Sequence, residues 1–173
     1  MRTFCTEGPV DPKLNYYVPR TALIAEGLKK VEQWRYFTIF APRQSGKTTY
    51  FRFLIEAIKR ERPGWLPVWV SFESFGDLSE QDFLLLLYRQ VEDFFHTPLE
   101  RAESVATLEL FFRKIKKDMR RETILIVDEV EGLKNTNLLN QWLHLIRSLY
   151  HRKEKTGLRS VILTGVSNIT GII

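Results

Sequence analysis

The sequence predicts an α/β fold of three layers, with a mainly parallel sheet between two layers of helices. Short apolar runs typical of buried strands alternate along the chain with longer amphipathic segments typical of helices. The run at 124–127 is entirely apolar, as is typical of a strand that is buried on both faces in a parallel sheet. A length of 173 residues with a hydrophobic fraction of 44% suits one domain with a substantial core.

Composition and charge exclude several classes of protein. One cysteine and three scattered histidines supply neither a disulfide framework nor a structural zinc cluster, so a cytoplasmic location is expected. No apolar run approaches the roughly 20 residues of a membrane-spanning helix, so no membrane partner is expected. The net charge of +5 is modest, and it would support nucleic-acid binding only if it were concentrated on one face.

The start of the chain predicts an arm followed by a helix and a strand. The segment 1–20 contains a glycine and three prolines, which favour an extended arm and leave 21–173 as the core domain. Apolar side chains at helical spacing predict a helix at 21–34, with Thr21 as a candidate cap. An apolar run then predicts a buried strand at 36–40.

The middle of the chain repeats this alternation. After a polar turn, a segment dense in apolar residues with a cationic end predicts a helix at 48–60. A second strand is predicted at 66–72, and Ser79 opens a helix that runs to about Phe95. A further amphipathic helix is predicted at 105–121.

The end of the chain adds two strands around one helix. The apolar run 124–127 is the third predicted strand. A helix capped by Asn135 or Thr136 is predicted to continue to Lys155, and the fourth strand is predicted at 160–164.

The turn between the first strand and its helix matches a phosphate-binding loop. It runs through Ala41, Pro42, Arg43, Gln44, Ser45, Gly46, Lys47 and Thr48. The pattern is G-x-x-x-x-G-K-[ST] with Ala41 in place of the first glycine. Gly46 lets the backbone approach phosphate oxygens, Lys47 reaches the β- and γ-phosphates, and the Thr48 hydroxyl binds Mg²⁺. The alternative is a helix-capping turn that contains Gly-Lys-Thr by chance, and the strand–loop–helix context favours phosphate binding.

Polar residues follow the other predicted strands at the same edge of the sheet. Asp128 after the third strand can hold Mg²⁺, and the adjacent Glu129 can deprotonate the water that attacks the γ-phosphate. Thr164 at the end of the fourth strand could hydrogen-bond to the γ-phosphate, to the attacking water, or only to its local backbone. Ser71 and Glu73 at the end of the second strand leave the same alternatives open.

These motifs together resemble the AAA-like and STAND-type P-loop ATPases. The resemblance rests on the arm Tyr16–Arg20, the loop 41–49 and the strand that ends in Asp128 and Glu129, and it covers nearly the whole chain. Domains of this kind normally carry a fifth strand and a helical lid, so the resemblance implies a core that stops before both.

The resemblance also implies roles for individual residues. ATP would be bound by the loop 41–49, which includes Thr49, with Tyr17 and Arg20 near the adenine. The remaining implied roles are Lys47 and Thr48 as phosphate and Mg²⁺ ligands, Asp128 as the second metal residue, Glu129 as the catalytic base and Thr164 in the sensor position.

Two segments at 113–121 and 151–155 are rich in lysine and arginine. Each lies at the carboxyl end of a predicted helix, where cations oppose the helix dipole, and this explanation is favoured. A surface that faces nucleic acid is the alternative.

The predicted function is therefore Mg-dependent binding and hydrolysis of ATP, with a protein partner or self-association. The main alternative is a non-hydrolytic nucleotide-binding switch, in a DNA-associated form or not, and a kinase-type transferase is the third. Glu129 favours hydrolysis, because a carboxylate beside the metal-binding aspartate activates water.

Overall fold

The computed structural model describes residues 3–4, 10–11, 13–92, 94–95 and 101–166. Within these residues the strands are β1 (Phe37–Phe40), β2 (Trp65–Ser71), β3 (Glu122–Asp128) and β4 (Leu158–Gly165). The helices are α1 (Thr21–Glu32), α2 (Lys47–Glu61), α3 (Glu80–Glu92), α4 (Leu108–Met119), α5 (Thr136–Tyr150) and α6 (Lys153–Thr156). The strands form one parallel sheet in the order β1–β4–β3–β2.

Helices cover both faces of this sheet, which confirms the predicted three-layer α/β fold. On β3, Ile124 and Ile126 face α1 and α2, whereas Leu125 and Val127 face α3, α4 and α5. All four side chains are buried, so the uninterrupted apolar run of this strand follows from its burial on both faces.

The register aligns the carboxyl ends of the strands along one side of the sheet, which we call the carboxyl edge. Ser71 of β2 lies opposite Asp128 of β3, and Phe40 of β1 lies opposite Gly165 of β4. The residues that follow β1, β3 and β4 therefore meet at this edge, where open α/β sheets bind ligands.

The other side of the sheet, the amino edge, is held together by Arg159. Its guanidinium lies 4.5 Å from the ring centre of Trp34 and 3.9 Å from that of Trp65. It forms an ion pair with Glu122 and donates to two carbonyls at the end of α1, at 3.2 and 3.0 Å. One side chain thus links the first residues of β2, β3 and β4 to α1.

The predicted helix at 21–34 begins at the predicted residue but ends two residues earlier than predicted. It stops at Glu32, because Trp34 has a φ of 58° and cannot continue a right-handed helix. Thr21 is the first helical residue and not the cap, since Arg20 occupies the capping position.

The prediction of one continuous helix up to Lys155 is wrong. α5 ends at Tyr150, and after a turn in which Arg152 N–H donates to Leu149 O at 3.0 Å, the chain forms the single turn of α6. The break directs Lys153 to the carbonyl of Trp34 at 3.0 Å, a contact across 119 residues that no local pattern encodes.

None of the helices in the described part of the chain is both long enough and apolar enough to cross a membrane.

Candidate functional site

The loop between β1 and α2 curls at the carboxyl edge of the sheet. Gln44 and Gly46 both have positive φ angles, 57° and 84°, and α2 begins at Lys47. A Cβ at Gly46 would lie 3.5 Å from Nη2 of Arg20, and glycine adopts this conformation at little cost. The first N–H groups of α2 have no partner in the preceding turn of a helix, so this loop offers donors for an anion.

Lys47 lies across the loop. Its ammonium donates to the carbonyls of Ala41 at 3.0 Å and Pro42 at 3.1 Å. Ser45 Oγ is buried without a hydrogen-bond partner among the described residues. Thr48 is half-buried in the first turn of α2. A cationic nitrogen held only by neutral carbonyls and an orphaned hydroxyl are both groups that a bound phosphate would satisfy.

Asp128 and Thr164 form a buried pair at the ends of the two central strands. The Thr164 hydroxyl donates to Oδ1 of Asp128 at 2.5 Å, and the backbone N–H of Glu129 donates to the same oxygen at 3.0 Å. Asp128 is 7% exposed and Thr164 is completely buried. Since both bonds go to Oδ1, Oδ2 has no hydrogen-bond donor among the described residues and can accept a cation or its water.

Glu129 follows this pair in a left-handed conformation, with a φ of 51°. Burial raises the pKa of the Glu129 carboxyl, and the charges of Glu73, Asp128 and Glu131 raise it further. Arg43 of the loop acts in the opposite direction. Charges on the loop, after β2 and after β3 therefore all act on this one carboxylate.

The turn after β3 is fixed against the neighbouring strands. A Cβ at Gly132 would lie 2.0 Å from the carbonyl oxygen of Phe72, so only glycine allows this turn to pack on the end of β2. Its N-terminal neighbour Glu131 accepts a hydrogen bond at 3.0 Å from the N–H of Val166, which follows β4. The turn therefore holds Glu129 between the ends of β2 and β4.

The arm contacts the loop and α2. Arg20 Nη2 donates to Ser45 O at 2.9 Å, Tyr17 stacks on Phe53 with ring centres 5.6 Å apart, and the N–H of Val10 donates to Thr49 Oγ1 at 3.3 Å. Beside the loop lies a cavity of about 480 Å³. Arg20 lines this cavity together with Ala41, Ser45, Lys47 and residues of α1 and β1, whereas Tyr17 is not among its lining residues.

The sequence pattern thus finds residues that the fold brings to one edge, but it misses two of their neighbours. Glu131 is one, although its position two residues after Glu129 was a local signal. Gly132 is the other, and only the packing against Phe72 shows why it is glycine. Ser71 ends β2, which β4 and β3 separate from β1 and its loop, and its backbone is paired with the side chain of Gln90 on α3, at 2.7 and 2.8 Å.

The donor set suits magnesium bound together with a phosphate. The described residues contain no group of three or more His, Cys, Asp or Glu side chains that could hold a metal alone. Mg²⁺ bound with a nucleotide needs only one or two protein ligands, because phosphate oxygens and waters supply the rest. One carboxylate oxygen of Asp128 and the hydroxyl of Thr48 meet this requirement.

Comparison with known proteins gives a family and two structural relatives. A family model described as an AAA domain matches residues 32–173. The structure of Drosophila ORC bound to poly(dA/dT) DNA and Cdc6 matches with a TM-score of 0.61 and 13% identity, over 87% of this chain and 25% of that chain. The structure of the Aeropyrum pernix ORC2 protein in ADPNP–ADP complexes matches with a TM-score of 0.55 and 15% identity, over 86% of this chain and 40% of that chain.

Identities this low establish a shared fold and not a shared partner or reaction. The present chain spans 25% and 40% of the lengths of these two solved chains. No curated protein matches the sequence at a significant level.

Proposed function

Because this chain belongs to the AAA domain family, we propose that it binds Mg-ATP at the loop 41–49 and hydrolyses it. The observation that carries the proposal is the buried hydrogen bond from Thr164 to Asp128, which leaves one carboxylate oxygen free at the edge where the loop lies. The effect of the Arg43 charge on the pKa of Glu129 supports it, because a cation of the loop acts on a carboxylate that follows β3.

Binding would replace the weak partners of the loop with stronger ones. The ammonium of Lys47 exchanges the carbonyls of Ala41 and Pro42 for oxygens of the β- and γ-phosphates, and these charge-assisted bonds are stronger. Thr48 and Oδ2 of Asp128 would hold the metal. Bound Mg²⁺ supplies charge neutralisation at the β- and γ-phosphates.

Hydrolysis would use Glu129 as the general base. As the oxygen of a water molecule bonds to the γ-phosphorus, the bond to the leaving ADP oxygen breaks and the water proton passes to the Glu129 carboxylate. The raised pKa of this carboxyl makes it a stronger base than an ordinary glutamate. Thr164, in the sensor position, fixes Asp128, and the adenine would occupy the cavity beside the loop, which Arg20 lines.

Binding and turnover of ATP, measured in parallel on the parent chain and three variants, test the proposal. We expect Glu129→Gln to bind ATP but to lose roughly 100-fold or more in turnover. Lys47→Ala should lose binding, and EDTA should abolish turnover in the parent chain. Glu56→Gln removes an exposed carboxylate on α2 and should match the parent chain.

The same measurements separate the alternatives. Binding without detectable turnover in the parent chain would contradict hydrolysis and support the non-hydrolytic switch. Transfer of labelled γ-phosphate to an acceptor other than water would support the transferase. Binding that is unchanged in Lys47→Ala would contradict the assignment of the loop.

A further inference from the structure

The two basic segments of the chain converge on one surface at the amino edge of the sheet. α4 ends just before β3 and α6 just before β4, and these strands are neighbours. Lys116, in the last turn of α4, donates to the carbonyl of Glu154 in α6. A Cβ at Gly157 would lie 2.7 Å from the Cβ of Lys116, so the two helix ends are in direct contact.

The whole positive excess of the protein lies in this region. We count the first segment from Glu109, because this residue pairs with two of the cations. The ranges 109–121 and 151–155 then hold nine of the 26 basic residues but only three of the 21 acidic ones. The rest of the chain therefore has 17 basic and 18 acidic residues, which is close to neutral. The modest net charge of +5 is thus concentrated, which is the condition for a polyanion-binding surface.

Some of these cations hold the surface together. Glu109 pairs with Arg113 at 2.6 Å and with Arg152 at 2.7 Å, which joins α4 to the turn before α6. Lys153 donates to the carbonyl of Trp34. Arg113, Arg152 and Lys153 thus already have partners within the protein.

Four further cations are exposed: Lys117, Arg120, Arg121 and Lys155. Across the described ranges of the chain, their side chains form no ion pair and no hydrogen bond. We call these four residues the basic face. Like charges gathered on one surface repel each other, and a bound anion would relieve this repulsion.

The helix dipole can stabilise only some of these basic residues at their positions. Its effect falls off within the last turn of a helix, and Lys116 already lies there. α4 ends at Met119, and Arg120 turns out of it with a φ of 50°. Arg120 and Arg121 are therefore beyond the helix, where the dipole favours them little.

We infer that the basic face binds the phosphodiester backbone of a nucleic acid. Guanidinium groups bind phosphate in a bidentate manner, and several adjacent cations match a polymer that carries a charge on every nucleotide. A lipid surface fits less well, since stable attachment to lipid also uses large apolar side chains. Among the described residues of 109–121, the exposed large apolar side chains are Met119, which is 36% exposed, and Leu110, which lies at the opposite end of α4 from the basic face.

The basic face and the phosphate loop can be occupied together. They lie at opposite edges of the sheet, and the seven residues of β3 separate them by about 20 Å. The inference therefore does not rest on the proposed ATPase, and a variant such as Lys47→Ala should bind nucleic acid as the parent chain does.

Fluorescence anisotropy with short, mixed-sequence oligonucleotides tests the inference, with single-stranded DNA, duplex DNA and single-stranded RNA as separate probes over a series of salt concentrations. The test variant carries Lys117→Gln, Arg120→Gln, Arg121→Gln and Lys155→Gln together. The matched control carries Lys29→Gln, Arg52→Gln, Lys59→Gln and Arg89→Gln, which remove the same charge from exposed positions elsewhere. Thermal unfolding of both variants checks that the fold is retained.

We expect the test variant to bind at least about 10-fold more weakly than the parent chain, with a salt slope smaller by about 3, while the control loses little. Comparison of the three probes then identifies the kind of nucleic acid. Equal loss in both variants would overturn the inference in favour of a net-charge effect. Undetectable binding of all three probes by the parent chain, or binding only to vesicles that contain phosphatidylserine, would also overturn it.

Discussion

The hydroxyl of Thr164 has a partner that the sequence did not suggest. From the sequence, this hydroxyl could hydrogen-bond to a phosphate, to a water molecule or to its own local backbone. In the structure it donates to the carboxylate of Asp128 at 2.5 Å. The pairing needs two buried strand ends to be neighbours in the sheet, and strand order is not written in either segment. The residue types at the site were therefore predictable, whereas their mutual contacts were not.

Glu129 leads to a prediction about pH and stability. Its pKa is raised in the folded protein, so its ionised form favours the unfolded chain, and stability is lost as the pH rises from the ordinary value of 4.5 through the raised value. Glu129→Gln should therefore raise the free energy of unfolding at neutral pH, and the gain should vanish at a pH well below 4.5, where the carboxyl is protonated in both the folded and the unfolded chain.

Urea unfolding of the nucleotide-free protein in EDTA measures this difference at both pH values. Glu56→Gln controls for the removal of a carboxylate from an exposed position. An equal effect in the two variants, or a loss of stability in Glu129→Gln at neutral pH, would contradict the electrostatic origin.

At the scale of single elements, the turn after β3 depends on one close contact. The main-chain approach of Gly132 to Phe72 holds the turn, and two further backbone bonds join it to the turn after β2, from Gly76 N to Gly132 O at 2.9 Å and from Lys134 N to Gly76 O at 2.6 Å. These contacts hold the turn after β3 against the turn after β2.

Gly132→Ala should therefore destabilise the protein by roughly 1–3 kcal/mol, because its Cβ meets backbone atoms that cannot rotate away. Gly64→Ala is the matched control, since a Cβ there has nothing within 4 Å, and it should be close to neutral. Thermal unfolding measures both changes. A Gly132→Ala protein as stable as the Gly64→Ala protein would contradict the packing described for this turn.

The elements themselves were largely predictable because each carries its own periodicity. The errors occur where distant contacts decide the conformation. The end of α1 depends on Trp34, whose ring packs on Arg159, and the break after α5 depends on Lys153, which reaches Trp34 O. Both contacts join residues more than 100 positions apart, so no local pattern could indicate them.

At the scale of the whole molecule, the two edges of the sheet carry different sets of residues. The carboxyl edge gathers the loop and the acidic residues, whereas the amino edge is closed by Arg159 and carries the basic face beside it. The phosphate loop and the strand that ends in Asp128 were predictable from motifs. The closure of the amino edge by Arg159 could not be predicted, since a single arginine near the start of a strand is not part of a recognisable motif.

The closure at Arg159 gives a prediction that separates stability from nucleotide binding. Arg159→Lys keeps the charge but loses the planar group that lies between Trp34 and Trp65 and donates to several acceptors, so we expect a loss of roughly 2 kcal/mol in the free energy of unfolding. Arg62→Lys is the matched control. Arg62 also pairs with a glutamate and lies 5.7 Å from the Trp65 ring, but it is 43% exposed, and we expect a loss below about 1 kcal/mol. Urea unfolding measures both variants, and ATP binding below the transition should be unchanged, because the loop lies at the opposite edge. Equal losses in the two variants would show that the ring contacts of Arg159 contribute little, and a loss of ATP binding in the folded Arg159→Lys protein would show that the two edges are coupled.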